Sequence, residues 1–206
     1  MTIKSPFLII KDFLSPLECE EILQIYDWNF NNVNENGKPI KSIVPSPLYS
    51  RRIWNHLEDC FDDIQEYYDI DIKHVDEVYF EWYPENCVDE GLRCENSIYN
   101  NGKWSIVNRN DFSVIIFLKD YCISKDIDPD YECYGGQLEM INHKFKFSPE
   151  RGTAIIFPSN QYFVNRTIPS KVGDVCQIRT HITCEQLFNY NPSDFQGDYT
   201  LWFREL

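Results

Sequence analysis

The feature that most limits what this chain can fold into is a change in apolar period near residue 75. Before that point apolar residues recur every three or four positions. Ser15-Pro16-Leu17-Glu18 supplies an N-cap, a proline at the first helical position and a capping-box acid, which predicts a helix from Pro16 to about residue 28. Ile53, Leu57, Phe61 and Ile64 predict a second helix over 49–68, with acids on its outer face. Residues 6–10 read as a short strand, and 29–47, polar with Gly37 and Pro39, as loop. Beyond residue 75 the apolar residues gather into seven short runs rich in β-branched and aromatic side chains, at 78–83, 112–118, 137–141, 145–147, 153–157, 162–164 and 175–183. Turns such as Pro149-Glu150-Arg151-Gly152 part them. Helices first and strands afterwards make an α+β chain whose body is a β-sandwich or jelly roll. Two irregular segments remain, the polar insert 88–110 and the tail 185–206.

Composition narrows the class of function. With 206 residues, 43% hydrophobic and rich in Phe, Tyr and Trp, the chain has material for one substantial core, so a single domain over 1–206 is expected. Its parts would be 1–70 for the first strand and helices, 75–184 for the β core and 185–206 for the aromatic tail. The longest unbroken apolar run, 114–118, is far short of the roughly 20 residues a bilayer crossing needs. The start, MTIKSPFLIIKDF, lacks the apolar stretch of a secretory signal, so neither a membrane span nor export by a signal peptide is expected. Lys plus Arg total 19 against 33 Asp plus Glu, a formal charge of −14, which opposes binding to the phosphates of nucleic acid. Eight scattered cysteines with no CxxC read as reduced thiols rather than a zinc ribbon or redox pair.

Four motifs then occur in order. Phe13-Leu14-Ser15-Pro16-Leu17-Glu18-Cys19 opens the first helix, Tyr83-Pro84-Glu85-Asn86 forms a Y-P-x-N turn, and Tyr134-Gly135-Gly136-Gln137-Leu138 contains G-G-x-L. Gly152-Thr153-Ala154-Ile155-Ile156-Phe157-Pro158-Ser159 is the fourth. From residue 13 to about 183 this wording resembles the 2-oxoglutarate and iron(II) dependent dioxygenases of the prolyl 4-hydroxylase type. In its general wording the chain looks most similar to oxygenase-like proteins of tailed bacteriophages. The resemblance implies a double-stranded β-helix, or jelly roll, with the N-terminal helices packed on one sheet.

It also implies an iron site built from H-x-D and a distal histidine, two imidazoles and one carboxylate that leave positions open for cosubstrate and oxygen. On the family's spacing the first histidine position falls on Arg93, the acid on Glu95 and the distal histidine on Tyr162. A guanidinium has no lone pair to donate, and a neutral phenol is a poor ligand for iron(II). The family's tyrosine and basic residue for the C5 carboxylate of 2-oxoglutarate fall on Phe117 and Val175. Arg179, four residues on and on the same strand face, remains a candidate anion contact, with Lys171 nearby. The triad is therefore expected to be degenerate, with no catalytic residue, no metal ligand and no cofactor.

Other residues compete. His74-Val75-Asp76 is a literal H-x-D, one strand too early for the family's topology, and would need His143 or His181 to complete it. His56-Leu57-Glu58 lies within a helix, where i and i+2 diverge. Cys87, Cys94, Cys122 and Cys133 flank the site without a ligand spacing. For Arg93 and Glu95 two readings stand. In one they project into the old metal cavity, where the guanidinium takes over the ion's electrostatic role. In the other the 88–110 insert folds outward and both are solvated. The tail, with Phe188, Tyr190, Phe195, Tyr199, Trp202 and Phe203, marks either a docking surface or packing over the second sheet. The expected function is a structural or protein-interaction component that keeps the oxygenase scaffold, with other structural subunits as partners, in a virion or the host cytoplasm. The alternative is an active hydroxylase that uses iron and 2-oxoglutarate through non-standard ligands.

Overall fold

The computed structural model describes residues 4–30, 40–43 and 47–195. In chain order the elements are β1 (Leu8–Ile10), α1 (Pro16–Phe30), β2 (Ile40–Ile43), α2 (Pro47–Asp59), α3 (Phe61–Tyr68), β3 (Ile72–Val75) and β4 (Tyr79–Tyr83). β5 (Ser97–Asn100), β6 (Lys103–Ile106), β7 (Phe112–Phe117), β8 (Asp120–Tyr121), β9 (Glu132–Cys133) and β10 (Leu138–Met140) follow. β11 (Phe145–Phe147), β12 (Ala154–Pro158), β13 (Asn165–Thr167) and β14 (Val175–Cys184) complete the order.

The capping box at the start of α1 closes as its residue types require. Glu18 Oε2 accepts from the Ser15 backbone N–H at 2.8 Å, and Ser15 Oγ accepts from the Glu18 N–H at 3.3 Å. The second helix divides in two. Cys60 leaves the ladder with its N–H on Leu57 O, and α3 begins immediately after it. α3 ends on Asp69 at φ 55°, whose N–H caps Gln65 O. A non-glycine residue in this left-handed conformation carries strain that glycine avoids. Asp69→Gly is therefore expected to raise stability by about 0.5–1 kcal/mol, read as a higher urea midpoint at unchanged slope.

A major sheet of order β1-β12-β7-β14-β4-β2, with β3 also on β14, faces a minor sheet of order β11-β10-β13. Strand alternation divides the major sheet's side chains between two cores. Val114, Ile116, Ile156, Ile178 and Ile182 point outward onto Ile22, Ile53, Leu57, Ile64 and Tyr68 of the helices. Ile115, Phe117, Ile155 and Phe157 point inward onto Leu138, Met140 and Phe163 from the minor-sheet side. Each fully buried Ile or Phe contributes roughly 1.5–3 kcal/mol. The chain is thus an α+β jelly roll with its helices on one sheet. Gly152 joins the layers: its N–H donates to Phe117 O and its carbonyl accepts from Leu14 N. At φ +78° a Cβ there would stand 2.1 Å from Leu14 O, so only glycine lets the entry to α1 cross the turn.

Several expectations change. Residues 162–164 do not form a strand; Gln161–Phe163 is a 3-10 turn capped by Asn160, and the strand starts at Asn165. The segments read as loop or irregular contain β2, β5 and β6, and β3 was not anticipated. In the tail, Phe188 stacks near Phe112 and Tyr190 meets Phe163, so this part packs back on the body. Tyr199, Trp202 and Phe203 lie outside the described residues.

Candidate functional site

β4 and β14 pair in antiparallel register, with Glu81 opposite Gln177 and Tyr79 opposite Arg179. Alternation sends Glu81 and Tyr83 inward from β4, and Gln177, Arg179 and His181 inward from β14. Across the barrel the segment carrying Arg93 and Glu95 runs beside the minor sheet, held by a reciprocal backbone pair between Arg93 and Asn165 at 2.8 and 2.9 Å. These strands converge on one polar floor.

Glu81 is its centre, with a side chain only 2% exposed. Arg93 grips it with both terminal nitrogens, Nη1 to Oε1 and Nη2 to Oε2, each at 3.1 Å. Arg179, 3% exposed, donates from Nε to Glu81 Oε2 at 3.2 Å and from Nη1 to Glu95 Oε1 at 3.0 Å. Arg93 Nε stands 3.1 Å from the same Glu95 oxygen, and His181 Nε2 lies 3.7 Å from the other. Gln177 Nε2 and the Tyr83 hydroxyl also donate to Glu81 Oε2. The two carboxylates and two guanidiniums balance in formal charge, so the floor is internally neutralised.

Burial opposes the charge on Glu95, but Arg179, His181 and Arg93 reverse that effect and hold its carboxyl well below the usual carboxylate range. Burial likewise opposes the charge on Arg93, and Glu81 and Glu95 keep it protonated far above its ordinary value. Burial, reinforced by Glu81, pushes the Tyr83 phenol up, so it remains a neutral donor. The depressed Glu95 pKa fixes the sign of a pH effect. Above its ordinary value of 4.5 the contribution to stability is complete; as the pH falls toward the folded-state pKa the unfolded chain binds the proton first and the contribution is lost. Glu18, for which burial is likewise outweighed by Ser15 and His56, is lowered to about 2 and adds to the same window. Urea midpoints are expected to fall steeply below about pH 4.5, and Glu95→Gln is expected to flatten that fall.

The structure brings Arg93, Glu95 and Arg179 together and leaves other candidates elsewhere. Tyr162 sits in the 3-10 turn with its ring 5.4 Å from Tyr190, and the residue paired with Arg93 is Asn165. Phe117 belongs to the inner core, and Val175 packs with Tyr83, Cys87 and Cys133. Lys171 is exposed, 5.8 Å above the Tyr134 ring. His74 and Asp76 form a half-exposed pair with each other at 3.1 Å, His143 stacks on Phe163, and His56 pairs with Glu18. All eight cysteines are free thiols. Glu81 and Gln177 are not singled out by the sequence, and His181, considered there only as a completion of His74-Val75-Asp76, instead faces Glu95. The signal for Glu81 was present: one acid at the centre of the apolar strand Tyr79-Phe80-Glu81-Trp82-Tyr83 must be buried and paired if that strand is internal.

An iron site of the kind the resemblance implies needs three lone-pair donors free to converge. Here Arg93 contributes none, and both carboxylates already accept from guanidiniums. Among the described residues no group of three or more His, Cys, Asp or Glu is placed to hold a metal ion. A keto acid fares no better: Arg179 spans both glutamates, and only its Nη2 lacks a protein partner. The residues present do not fit iron with 2-oxoglutarate.

No family model matches the chain, and no curated protein matches it in sequence. Solved structures do match in fold. The viral collagen prolyl hydroxylase of Paramecium bursaria Chlorella virus-1, in complex with 2-oxoglutarate, is 14% identical at a TM-score of 0.64, covering 88% of this chain and 97% of its own. A prolyl hydroxylase from Trichoplax adhaerens, in complex with a hypoxia-inducible factor peptide fragment, is 19% identical at 0.61, covering 88% and 84%. A Pseudomonas putida prolyl-4-hydroxylase is 11% identical at 0.61, covering 88% and 94%. The chain has the fold of these enzymes. Among the described residues no helix is long and apolar enough to cross a membrane.

Proposed function

We propose that this chain is a non-catalytic protein on a prolyl hydroxylase fold, acting as a structural or protein-interaction component. The observation that carries the reading is the closed floor: Arg93 and Arg179 clamp Glu81 and Glu95 where the resemblance puts the metal-binding motif. Two fixed positive charges there supply what a divalent cation would supply electrostatically, without a coordination site. The barrel's integrity then no longer depends on a metal, and its outer surface is available for assembly. Protein partners, and a place in a virion or the host cytoplasm, follow from the resemblance to phage oxygenase-like proteins and complete the proposal.

The test is turnover. With iron(II), ascorbate, oxygen and 2-oxoglutarate, and with proline-rich peptide present or absent, succinate is expected to form no faster than in buffer carrying the same iron. Succinate production that depends on the protein and disappears in Glu95→Gln would establish the active hydroxylase instead.

A further inference from the structure

β5 and β6 form a ribbon that, among the described residues, no other strand joins, turned at Asn101-Gly102 with both residues at positive φ. An isolated two-stranded ribbon is marginal in water. Ile98, Ile106 and Val107 are 49%, 56% and 54% exposed and serve neither core of this chain. The stretch 96–110 carries Lys103 and Arg109 and no acid, in a chain of formal charge −14. Arg109 is engaged by Asp111 and by Cys184 O, whereas Lys103 is exposed and has no ion pair among the described residues. In the β5–β6 register Ile98 and Lys103 share one face of the ribbon and Ile106 lies on the other, so one face presents an aliphatic side chain beside an uncompensated cation.

A complementary surface exists on the same chain. A cleft of about 440 Å3, within the roughly 300–1,000 Å3 range of binding pockets, is lined by Phe80, Trp82 and Tyr131 together with Glu85, Asp130 and Asp174. Asp174 accepts from Trp82 Nε1 and from the Glu85 N–H, and Glu85 accepts from the Gly173 N–H. None of these three acids is ion-paired among the described residues. Among the described residues the one cation that lines the cleft, Lys119, is spent on Pro129 O at 2.6 Å.

The two features stand at opposite ends of β14. The ribbon is rooted at its C-terminal end, where Asp111 N–H bonds Ile182 O and Arg109 bonds Cys184 O. The cleft lies at its N-terminal end, lined by Gly173, Asp174 and Cys176. At about 3.3 Å per residue that separation is roughly 25–30 Å, and a ribbon four residues long reaches about 13 Å. No chain can fill its own cleft with its own ribbon.

We propose that copies of this chain associate head to tail, the β5–β6 ribbon of one seated in the acidic, aromatic cleft of the next. The contact is heterologous, so it propagates rather than closing at a two-fold dimer. At physiological salt a Debye length of about 8 Å screens the net repulsion between acidic copies, while the local Lys103-to-acid attraction persists at contact. The inference names a partner for the interaction role proposed above and rests on that role, but not on the chemistry of the barrel floor.

Sedimentation velocity of the full chain tests it by reading mass rather than catalysis. The weight-average mass is expected to climb with concentration past that of a dimer. Lys103→Glu, Ile98→Asp and Asp130→Lys are each expected to weaken association about tenfold or more, with unchanged melting because all three positions are exposed. Mixing Lys103→Glu with Asp130→Lys is expected to restore association, since the intact ribbon of one meets the intact cleft of the other and the exchanged charges at the remaining contact are again of opposite sign. A wild-type chain that stays monomeric at every concentration, or variants that associate like wild type, would overturn the proposal and leave the ribbon to a different partner.

Discussion

Glu81→Gln is expected to destabilise the protein by about 3–5 kcal/mol, the usual cost of removing one partner from a buried ionic network. The side chain accepts from Arg93, Arg179, Gln177 and Tyr83 at 2% exposure. The amide keeps the shape but halves the acceptor capacity and turns an N–H2 toward existing donors. Two guanidiniums are left sharing Glu95. The measurement is urea unfolding at neutral pH with Glu150→Gln as the control. Glu150 pairs with Lys11 at 63% and 67% exposure, and its loss is expected to cost no more than about 1 kcal/mol. Equal effects at the two sites would mean that the floor is solvated and the outward-folded reading of the insert holds.

Arg179→Met should have an effect of similar size, about 3–5 kcal/mol, by the converse route. Arg179 is the side chain that joins the two glutamates, bonding Glu81 through Nε and Glu95 through Nη1. Methionine fills the volume, but two buried carboxylates then face one remaining guanidinium. The charge they cannot neutralise returns as a raised Glu95 pKa, because Arg179 is the strongest influence holding that group down against its burial. The acid limb of the stability curve is therefore expected to move to higher pH, a readout that simple loss of packing would not give. Combining Arg179→Met with Glu81→Leu should cost less than the sum of the single changes, since it removes a donor and an acceptor of one bond together.

Much of this architecture was legible because period and position coincide. β11 falls where its apolar run lies, and β7, β10, β12 and β14 match theirs to within a residue or two. What escaped notice was carried by weaker signals. The β5–β6 ribbon has strands of four residues with their aliphatic side chains exposed, so it lacks the sustained apolar run that marks a buried strand, although Asn101-Gly102 is the residue pair a two-residue hairpin turn demands. The break at Cys60 does not disturb the spacing from Leu57 to Phe61 to Ile64, so one helix and two give the same pattern. Arg93 and Glu95 stand out through the family resemblance, but whether they point in or out depends on Glu81, which lies on another strand and is brought to them only by the sheet.

An anaerobic titration of iron(II) into the metal-free protein, followed by calorimetry with 2-oxoglutarate present, tests the central claim most directly. If the arginines stand in for the ion, no saturable site appears up to roughly millimolar metal, an affinity weaker than about −4 kcal/mol, and melting temperature is unmoved. One equivalent of tightly bound iron, stabilising the fold and lost in Glu95→Gln, would contradict it.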